Sequence, residues 1–211
     1  MAQTAAPVAP KEVKQNLNIV SAMKVSETRI DLTLSGNRKM SLDFYGSNIF
    51  RLFRDDQGGD FRQPIAKPQA QILVDQPRQE VEKLELTEAD GKVVILTDTV
   101  RVEFDKLTSL FKLVRLKDDK VIINQLEAPT IGEKQVSLTL EEFDNEYFYG
   151  GGVQNGRFSH KGKSIAIENQ NSWTDGGVAS PNPYFWSTRG YGIMWYTFKK
   201  GRYDFDSSDQ G

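Results

Sequence analysis

The sequence predicts an all-β protein, a large antiparallel β-sandwich, on three observations. From about Ile19 onward, apolar residues recur at every second position, which is the period of a strand with one buried face. Pairs that tolerate tight turns, such as Gly36-Asn37 and Asp90-Gly91, separate the apolar runs. No repeating strand-helix unit is visible, so short antiparallel strands joined by turns are the expected architecture.

The individual strands follow from local patterns. Val93-Val94-Ile95-Leu96 is apolar on both faces, which indicates a strand between two layers. Arg78 to Ala89 fits a helix loosely, but Leu84 and Leu86 alternate into a turn, so we predict a strand there. The alternating runs are Ile30-Leu32-Leu34, Met40-Leu42-Phe44, Val100-Val102-Phe104 and Val136-Leu138-Leu140, and the last two strands are expected at Tyr191 to Phe198 and Arg202 to Asp206.

Composition narrows the class of protein. The chain has 211 residues, 38% of them hydrophobic, with a formal net charge of -2 and no cysteine. This length is enough for one sizeable core, and the charge gives no basic face for a nucleic acid. No run approaches the roughly 18 apolar residues of a membrane span. Without cysteine, disulfides and thiolate metal sites are excluded, and we predict no cofactor.

The N-terminal residues 1–16 are expected to be a flexible segment preceding a domain over residues 17–211. Met1 to Pro10 is rich in Ala and Pro and lacks a basic or long apolar region, so it is not itself a signal peptide. It is similar to the stretch that often follows a signal cleavage site, which predicts a periplasmic or secreted protein. A cytoplasmic protein with a disordered tail is the alternative.

Aromatic residues and glycines concentrate in one part of the chain. Residues 143–205 hold 15 of the 22 aromatic residues, all three tryptophans and 10 of the 17 glycines, more than an ordinary core needs. Gly150-Gly151-Gly152 does not fit a phosphate loop, since no Lys-Ser/Thr pair or helix start follows. We interpret the glycines as allowing close approach of the backbone to a neighbouring domain or ligand.

The acidic residues and the single histidine give no catalytic constellation. His160 alone cannot build a typical zinc site or a convincing acyl-transfer site, so a surface or loop position is expected. Asp55 to Asp60 lacks the full ligand set of a calcium loop and is interpreted as a turn. Two acidic runs are interpreted as solvated edge charges: Glu141, Glu142, Asp144 and Glu146, and Asp204, Asp206 and Asp209.

The richest polar cluster runs from Glu168 to Asp175. It combines carboxylates, amides and one indole, followed by Gly176-Gly177. Carboxylates and amides bind vicinal hydroxyls, and tryptophan stacks on the apolar face of a pyranose, so the cluster suits a carbohydrate. On the residues alone, an ordinary polar surface loop is an equally good interpretation.

Taken together, several motifs resemble the N-terminal domain of glycoside hydrolase family 31, the α-glucosidase and α-xylosidase family. The resemblance spans roughly residues 17–211, and is most specific from Phe148 to Tyr196. It implies a galactose-mutarotase-like β-sandwich, or super-sandwich, that packs on a (β/α)8 barrel carrying both catalytic aspartates. The motifs are Tyr147 to Gln154, Trp173-Thr174-Asp175, Pro183-Tyr184-Phe185 and Gly190 to Tyr196.

The resemblance also implies a role at the substrate entrance. No catalytic residue is expected in this chain, which ends where the family's chain would run towards the barrel. Asp175 matches the position at which the family contacts the sugar of the +1 subsite, with Trp173 and Thr174 beside it. Many relatives have Arg where this chain has Thr174. The implied partners are an α-linked oligosaccharide or α-glucoside, bound by the intact enzyme, and the chain's own barrel.

Two other functions remain open. A free-standing carbohydrate-binding module is compatible with a β-sandwich that exposes aromatic residues. If the chain is instead the family 31 domain, the surface that should face the barrel is exposed, and aromatic residues such as Tyr184, Phe185 and Trp186 are expected to form an apolar patch there. An epimerase of the mutarotase type would need a histidine and a carboxylate as acid-base partners, and His160 is the only histidine. The retaining α-glycosidase mechanism, with one carboxylate as nucleophile and another as acid and base, is the expected chemistry of the intact enzyme.

Overall fold

The computed structural model describes residues 16–55, 81–132, 135–156, 158–174, 176–197 and 199–207. The regular elements in these ranges are antiparallel strands and one short 3-10 turn, which confirms the predicted all-β class. They divide into two compact units. Unit 1 contains the described residues up to Leu140, and unit 2 those from Glu141 onward. The division falls close to Phe143, where the aromatic-rich sequence begins.

Unit 1 contains two meanders and a short hairpin. The first sheet has the order β1-β2-β3-β4, and the second has the order β5-β6-β7-β8-β9. The strands are β1 (Ile19–Ser26), β2 (Arg29–Leu34), β3 (Arg38–Gly46), β4 (Ile49–Asp55), β5 (Glu85–Ala89), β6 (Lys92–Leu96), β7 (Val100–Asp105), β8 (Phe111–Arg115), β9 (Lys120–Asn124), β10 (Thr130–Ile131) and β11 (Val136–Ser137). A 3-10 turn, Ser35–Asn37, joins β2 to β3.

The alternating runs account for the core of unit 1. Ile30, Leu32 and Leu34 of β2 are fully buried, as the period of two predicts. The same holds for the runs in β3 and β7. Two hydrogen bonds connect the meanders: Ile19 N–H donates to the Lys106 carbonyl (2.7 Å), and Thr97 Oγ1 donates to the Ser47 carbonyl (2.7 Å).

Strand β5 confirms the preference for a strand between Arg78 and Ala89, although residues 78–80 lie outside the described ranges. Asp90 (φ 51°) and Gly91 (φ 73°) form the two-residue turn between β5 and β6. Two consecutive positive φ angles define a type I′ turn, which matches the right-handed twist of the flanking strands. The Asp-Gly pair was therefore a reliable hairpin signal.

Two strand predictions in unit 1 need correction. Val93 and Ile95 are fully buried, whereas Val94 and Leu96 keep part of their surface in solvent, so β6 is fully buried on one face only. The run beginning at Val136 forms only the two-residue strand β11, which pairs with the equally short β10, and Val136 is 52% exposed. Alternation gives the period of a strand but does not supply a partner strand.

Unit 2 contains two small sheets around an aromatic core. The sheet orders are β12-β14-β15 and β13-β16. Phe205 lies 4.5 Å from Phe148 and 5.2 Å from Phe185, measured between ring centroids. More of the aromatic residues concentrated between residues 143 and 205 therefore pack in the core than we predicted from the sequence. The strands are β12 (Phe148–Gln154), β13 (Lys163–Ile167), β14 (Val178–Ser187), β15 (Tyr191–Met194) and β16 (Gly201–Phe205), and the buried residues are Phe148, Ile165, Ile167, Phe185, Tyr203 and Phe205.

Nothing in the described ranges forms a helix with the length and apolar character of a membrane span. Within the same ranges, no three His, Cys, Asp or Glu side chains are grouped as a metal site requires. Asp55 ends β4 and is buried, while residues 56–60 of the predicted turn lie outside the described ranges.

Candidate functional site

The three consecutive glycines form a bulge in β12. Gly150, Gly151 and Gly152 all have positive φ (108°, 73° and 81°), and the register with β14 shifts between Gly150 and Gly152. A Cβ atom on Gly152 would lie 2.0 Å from the Ser180 carbonyl oxygen. The close approach that the structure shows is to β14 of the same unit, and it allows a bulged strand to stay paired. The approach to a neighbouring domain or ligand stays a prediction.

Asn155, directly after β12, holds the loop that contains Trp173. Its side-chain amide donates to the Ser172 carbonyl (2.9 Å). Its backbone N–H donates to the Gly177 carbonyl (3.0 Å), and its carbonyl accepts from Gly176 N–H (2.8 Å). The three bonds tie Ser172, Gly176 and Gly177 to one position, so these three residues are preorganised. No sequence pattern singles out Asn155.

The predicted site residues lie on this loop. Trp173 is 75% exposed, so its indole is available to a ligand. Thr174 is exposed; its carbonyl accepts from Gly177 N–H (2.8 Å), and its Oγ1 lies 3.1 Å from Ser172 Oγ. Asp175 lies outside the described residues, and its sugar contact stays a prediction. The structure thus places the indole beside an ordered polar turn.

His160 is buried, with 3% of its surface exposed, and the expectation of a surface position is wrong. It does lie in a loop, but its Nε2 is 2.9 Å from the Gly150 carbonyl oxygen, and its ring stacks at 5.9 Å from Phe205. With the proton on Nε2, the imidazole donates to a carbonyl of the glycine bulge. Its role is structural, since it connects the bulge to the aromatic core.

Glu146 is also buried, at 2% exposure, so it is not one of the solvated edge charges predicted for its run. Its carboxylate accepts hydrogen bonds from Phe143 N–H (3.0 Å) and from the Ser187 hydroxyl. Burial raises the pKa of Tyr191 above its ordinary value, and the nearby Glu146 carboxylate raises it further. The hydrogen bonds from Phe143 N–H and the Ser187 hydroxyl compensate for burying the Glu146 carboxylate.

The other acidic residues behave largely as predicted. Asp144 is exposed, and Glu142 is partly exposed and contacts Lys161 Nζ at 2.7 Å. Asp204 is exposed on β16 and pairs with Arg202 at 3.0 Å. Asp209 lies outside the described residues. The run ending at Glu146 lies in the segment before β12, and its last carboxylate is the one that meets buried donors, Phe143 N–H and the Ser187 hydroxyl.

A mutarotase-type acid-base pair does not fit this geometry. The candidate carboxylate, Glu146, and the candidate imidazole of His160 are both almost completely buried. Each is engaged with groups of its own unit. A catalytic acid or base must come within hydrogen-bond reach of its substrate, and neither group is open to one.

The outward face of the sheet β12-β14-β15 carries exposed aromatic residues. Tyr149 on β12 is the cross-strand neighbour of Trp186 on β14, and their rings stack with centroids 4.5 Å apart. Tyr184 and Trp186 are 42% and 45% exposed, whereas Phe185 between them is buried. The exposed patch expected from Tyr184, Phe185 and Trp186 therefore contains only the first and third, because neighbouring residues of a strand point to opposite faces.

Comparison with known proteins identifies the family. Residues 39–204 match the family described as the glycosyl hydrolase 31 N-terminal galactose mutarotase-like domain. Among solved structures, a family 31 dextranase from Flavobacterium johnsoniae, complexed with isomaltotriose, matches 92% of this chain with TM-score 0.77 and 18% identity. A family 31 α-xylosidase from Xanthomonas citri matches 90% of this chain with TM-score 0.60 and 19% identity. A comparison with curated proteins finds no match.

The chain spans a small part of these neighbours, 24% of the dextranase and 19% of the α-xylosidase. At these identities the structural likeness establishes the fold alone. The family match covers residues 39–204, which is most of the chain. The chain belongs to the family of N-terminal galactose mutarotase-like domains of glycosyl hydrolase family 31.

Proposed function

We propose that this chain is the non-catalytic N-terminal domain, over residues 17–211, of a retaining, exo-acting α-glycosidase of the α-glucosidase type. In the intact enzyme it packs on the catalytic barrel and lends the loop carrying Trp173, Thr174 and Asp175 to the substrate entrance. Trp173 carries this proposal, because a 75% exposed indole stands on a loop that Asn155 fixes in place.

Holding Trp173 in solvent on an ordered loop costs free energy. An indole in solvent contributes nothing to the core, yet three hydrogen bonds at Asn155 order the loop that carries it. Ordering a loop costs conformational entropy. Such an expense is consistent with a ligand that uses the flat indole face, and a pyranose ring offers the matching apolar surface.

The substrate class is proposed from the neighbours and from the chemistry of the loop. One neighbour is a dextranase bound to isomaltotriose, and another is an α-xylosidase. Ser172, Thr174 and Asp175 add hydroxyl and carboxylate groups beside Trp173, which suits a hydroxylated sugar such as an α-linked glucose unit. A periplasmic or secreted location, proposed from the N-terminal composition, is consistent with such a substrate.

A hydrolysis assay tests the proposal directly. We expect the purified 211-residue chain to release no p-nitrophenol from p-nitrophenyl α-glucoside, because both catalytic aspartates are expected in the barrel. The longer enzyme is the positive control. Turnover that follows the purified chain through successive columns would refute the proposal.

The exposure of Trp173 also supports a second candidate, a free-standing carbohydrate-binding module. Titration of the isolated chain with maltose or isomaltose, followed by tryptophan fluorescence, separates the two. A subsite fragment is expected to show no saturable binding. Saturation at millimolar or lower sugar that disappears in Trp173→Ala, but not in the control Trp186→Ala, would favour the module.

A further inference from the structure

Asn155 and Gly156 form the only Asn-Gly pair in the sequence. Both residues lie in the turn after β12, just beyond the last pair of the β12–β14 ladder, Gln154 with Val178. Gly156 is exposed and has φ 70°. A residue with a side chain is strained at this angle, so the turn itself favours glycine directly after Asn155.

An Asn-Gly peptide reacts with itself in water, because glycine has no Cβ to obstruct attack by its nitrogen. The Gly156 nitrogen, after losing its proton to hydroxide, attacks Cγ of Asn155. The Cγ–Nδ2 bond breaks, Nδ2 leaves as ammonia, and a cyclic succinimide remains. Water then opens the ring at either carbonyl and gives aspartate or isoaspartate. Each conversion consumes one water and releases one ammonia, without any change of oxidation state.

The amide that this reaction removes is one that the fold uses. Asn155 Nδ2 donates to the Ser172 carbonyl at 2.9 Å, and the Asn155 backbone bonds to Gly176 and Gly177. The position of Ser172 therefore depends on asparagine at 155, as the turn depends on glycine at 156. Two separate structural requirements thus bring the reactive pair together.

Either product removes this anchor. Aspartate at position 155 places a charged oxygen where the amide donor faced the Ser172 carbonyl, and two acceptors repel each other at hydrogen-bond distance. Both residues are partly buried, so water screens the repulsion incompletely. Isoaspartate also inserts a methylene into the backbone, and it turns the carbonyl that accepts from Gly176 N–H into a free carboxylate.

The hydrogen bonds at Asn155 set the pace of the reaction. Attack requires Cγ of Asn155 to approach the Gly156 nitrogen, and the three bonds that hold Asn155 resist this movement. The reaction therefore follows local opening of the turn. Segments with few buried contacts open at a small free-energy cost compared with global unfolding, and Gly156 is exposed at the surface.

We propose that Asn155-Gly156 is a site of spontaneous deamidation, and that the reaction releases the loop of residues 172–177, which carries Trp173. The pair combines an unobstructed glycine nitrogen with an amide that anchors the loop. The inference goes beyond the proposed function and does not depend on it, because the reaction needs only this chain and water.

Peptide mapping of aged protein tests the reaction. The 211-residue chain is incubated at mildly alkaline pH, and each asparagine is followed by mass and by an isoaspartate assay. Asn145 is the control, since it also lies in a turn and is exposed, but Glu146 follows it. We expect Asn155 to convert at least about tenfold faster than Asn145, because a following Cβ obstructs the attack. Equal rates at the two asparagines would overturn the proposal.

Cleavage by chymotrypsin after Trp173 tests the release of the loop. Anion exchange separates the converted protein, which carries one more negative charge than the native protein. We expect the converted protein and Asn155→Asp to be cut about fivefold faster than wild type, the factor that corresponds to one lost hydrogen bond. The control Asn145→Asp adds the same charge in another turn and should be cut at the wild-type rate. Wild-type rates for the converted protein and for Asn155→Asp would refute the release.

Discussion

Replacing Gly152 by alanine should disrupt unit 2 far more than an ordinary surface substitution. Gly152 has φ +81°, and its added Cβ would lie 2.0 Å from the Ser180 carbonyl oxygen. The left-handed conformation alone costs an L-residue about 1–2 kcal/mol. Relieving the overlap requires β12 and β14 to separate by about 1 Å or more, since ordinary contacts lie near 3.5 Å.

The total cost follows from the hydrogen bonds that this separation weakens. The strands β12 and β14 pair from Phe148 to Gln154, and each backbone bond contributes about 1 kcal/mol net. Loss of two or more such bonds, added to the conformational cost, gives about 3–5 kcal/mol. With a urea dependence of about 1.5 kcal/mol/M, the unfolding midpoint should fall by about 2 M or more.

Two glycines of the same unit separate the two contributions. Gly162 has φ +67° but nothing within 4 Å of an added Cβ, so Gly162→Ala carries the conformational cost alone. Gly201 has neither a positive φ in the restricted range nor a close neighbour, so Gly201→Ala should leave the midpoint nearly unchanged.

Tryptophan fluorescence during urea unfolding is the appropriate assay, because all three tryptophans lie in unit 2. The urea midpoint is expected to be highest for Gly201→Ala, lower for Gly162→Ala and lowest for Gly152→Ala. A midpoint for Gly152→Ala equal to that of Gly162→Ala would refute the argument from close approach.

Three further predictions concern buried polar groups and the Trp173 loop. Glu146→Gln should lower the free energy of unfolding by about 2–4 kcal/mol, because a neutral amide replaces a carboxylate that accepts two hydrogen bonds in a buried site. The control Glu142→Gln, at a partly exposed position, should lower it by less than about 1 kcal/mol in the same urea unfolding measurement. Burial raises the pKa of Tyr203 to about 12, so stability is complete below the unfolded value of about 10 and should fall by about 2 kcal/mol from there to pH 12. Tyr191, whose pKa burial also raises, contributes to the same decline, so Tyr203→Phe should reduce the loss of stability by about 2 kcal/mol without abolishing it, and an unchanged slope in urea midpoints would contradict the assignment. Asn155→Ala should cost about 1 kcal/mol and speed proteolytic cleavage within residues 172–177, whereas Trp173→Ala should leave stability within about 0.5 kcal/mol; equal cleavage of wild type and Asn155→Ala would show that the loop is not held by Asn155.

Sequence patterns predicted the fold where one local signal was sufficient. Alternation placed Ile30, Leu32 and Leu34 in the core, and Asp90-Gly91 specified a type I′ turn. Val136 shows the limit, because a strand needs a partner and the pairing of β11 ends after two residues. Periodicity is a property of one chain segment, whereas strand pairing in a sheet depends on a second segment elsewhere in the sequence.

The candidate site was only partly accessible to sequence reasoning for the same reason. Trp173 could be proposed from its chemistry and the family resemblance, and it is exposed as required. Asn155 could not, because the hydrogen bond that its side-chain amide donates to the Ser172 carbonyl spans 17 residues of sequence. Glu146 and His160 were misjudged because their burial depends on Ser187, Gly150 and Phe205, which the fold brings to them from other elements.

In unit 2 a glutamate and a histidine are buried, whereas several large aromatic rings are exposed. Its glutamate and its histidine, the groups that a sandwich enzyme would use for proton transfer, are buried at 2% and 3% exposure. Trp173, Trp186 and Phe158, in contrast, are in solvent. Burying a charge and exposing a large ring both cost free energy. The glutamate and histidine hold the glycine bulge and the β14–β15 turn, and so fix the strands that present the rings. Under the proposed function this unit acts through its exposed surfaces, and substitutions at Glu146 or His160 should disturb the strands that carry both Trp173 and Trp186.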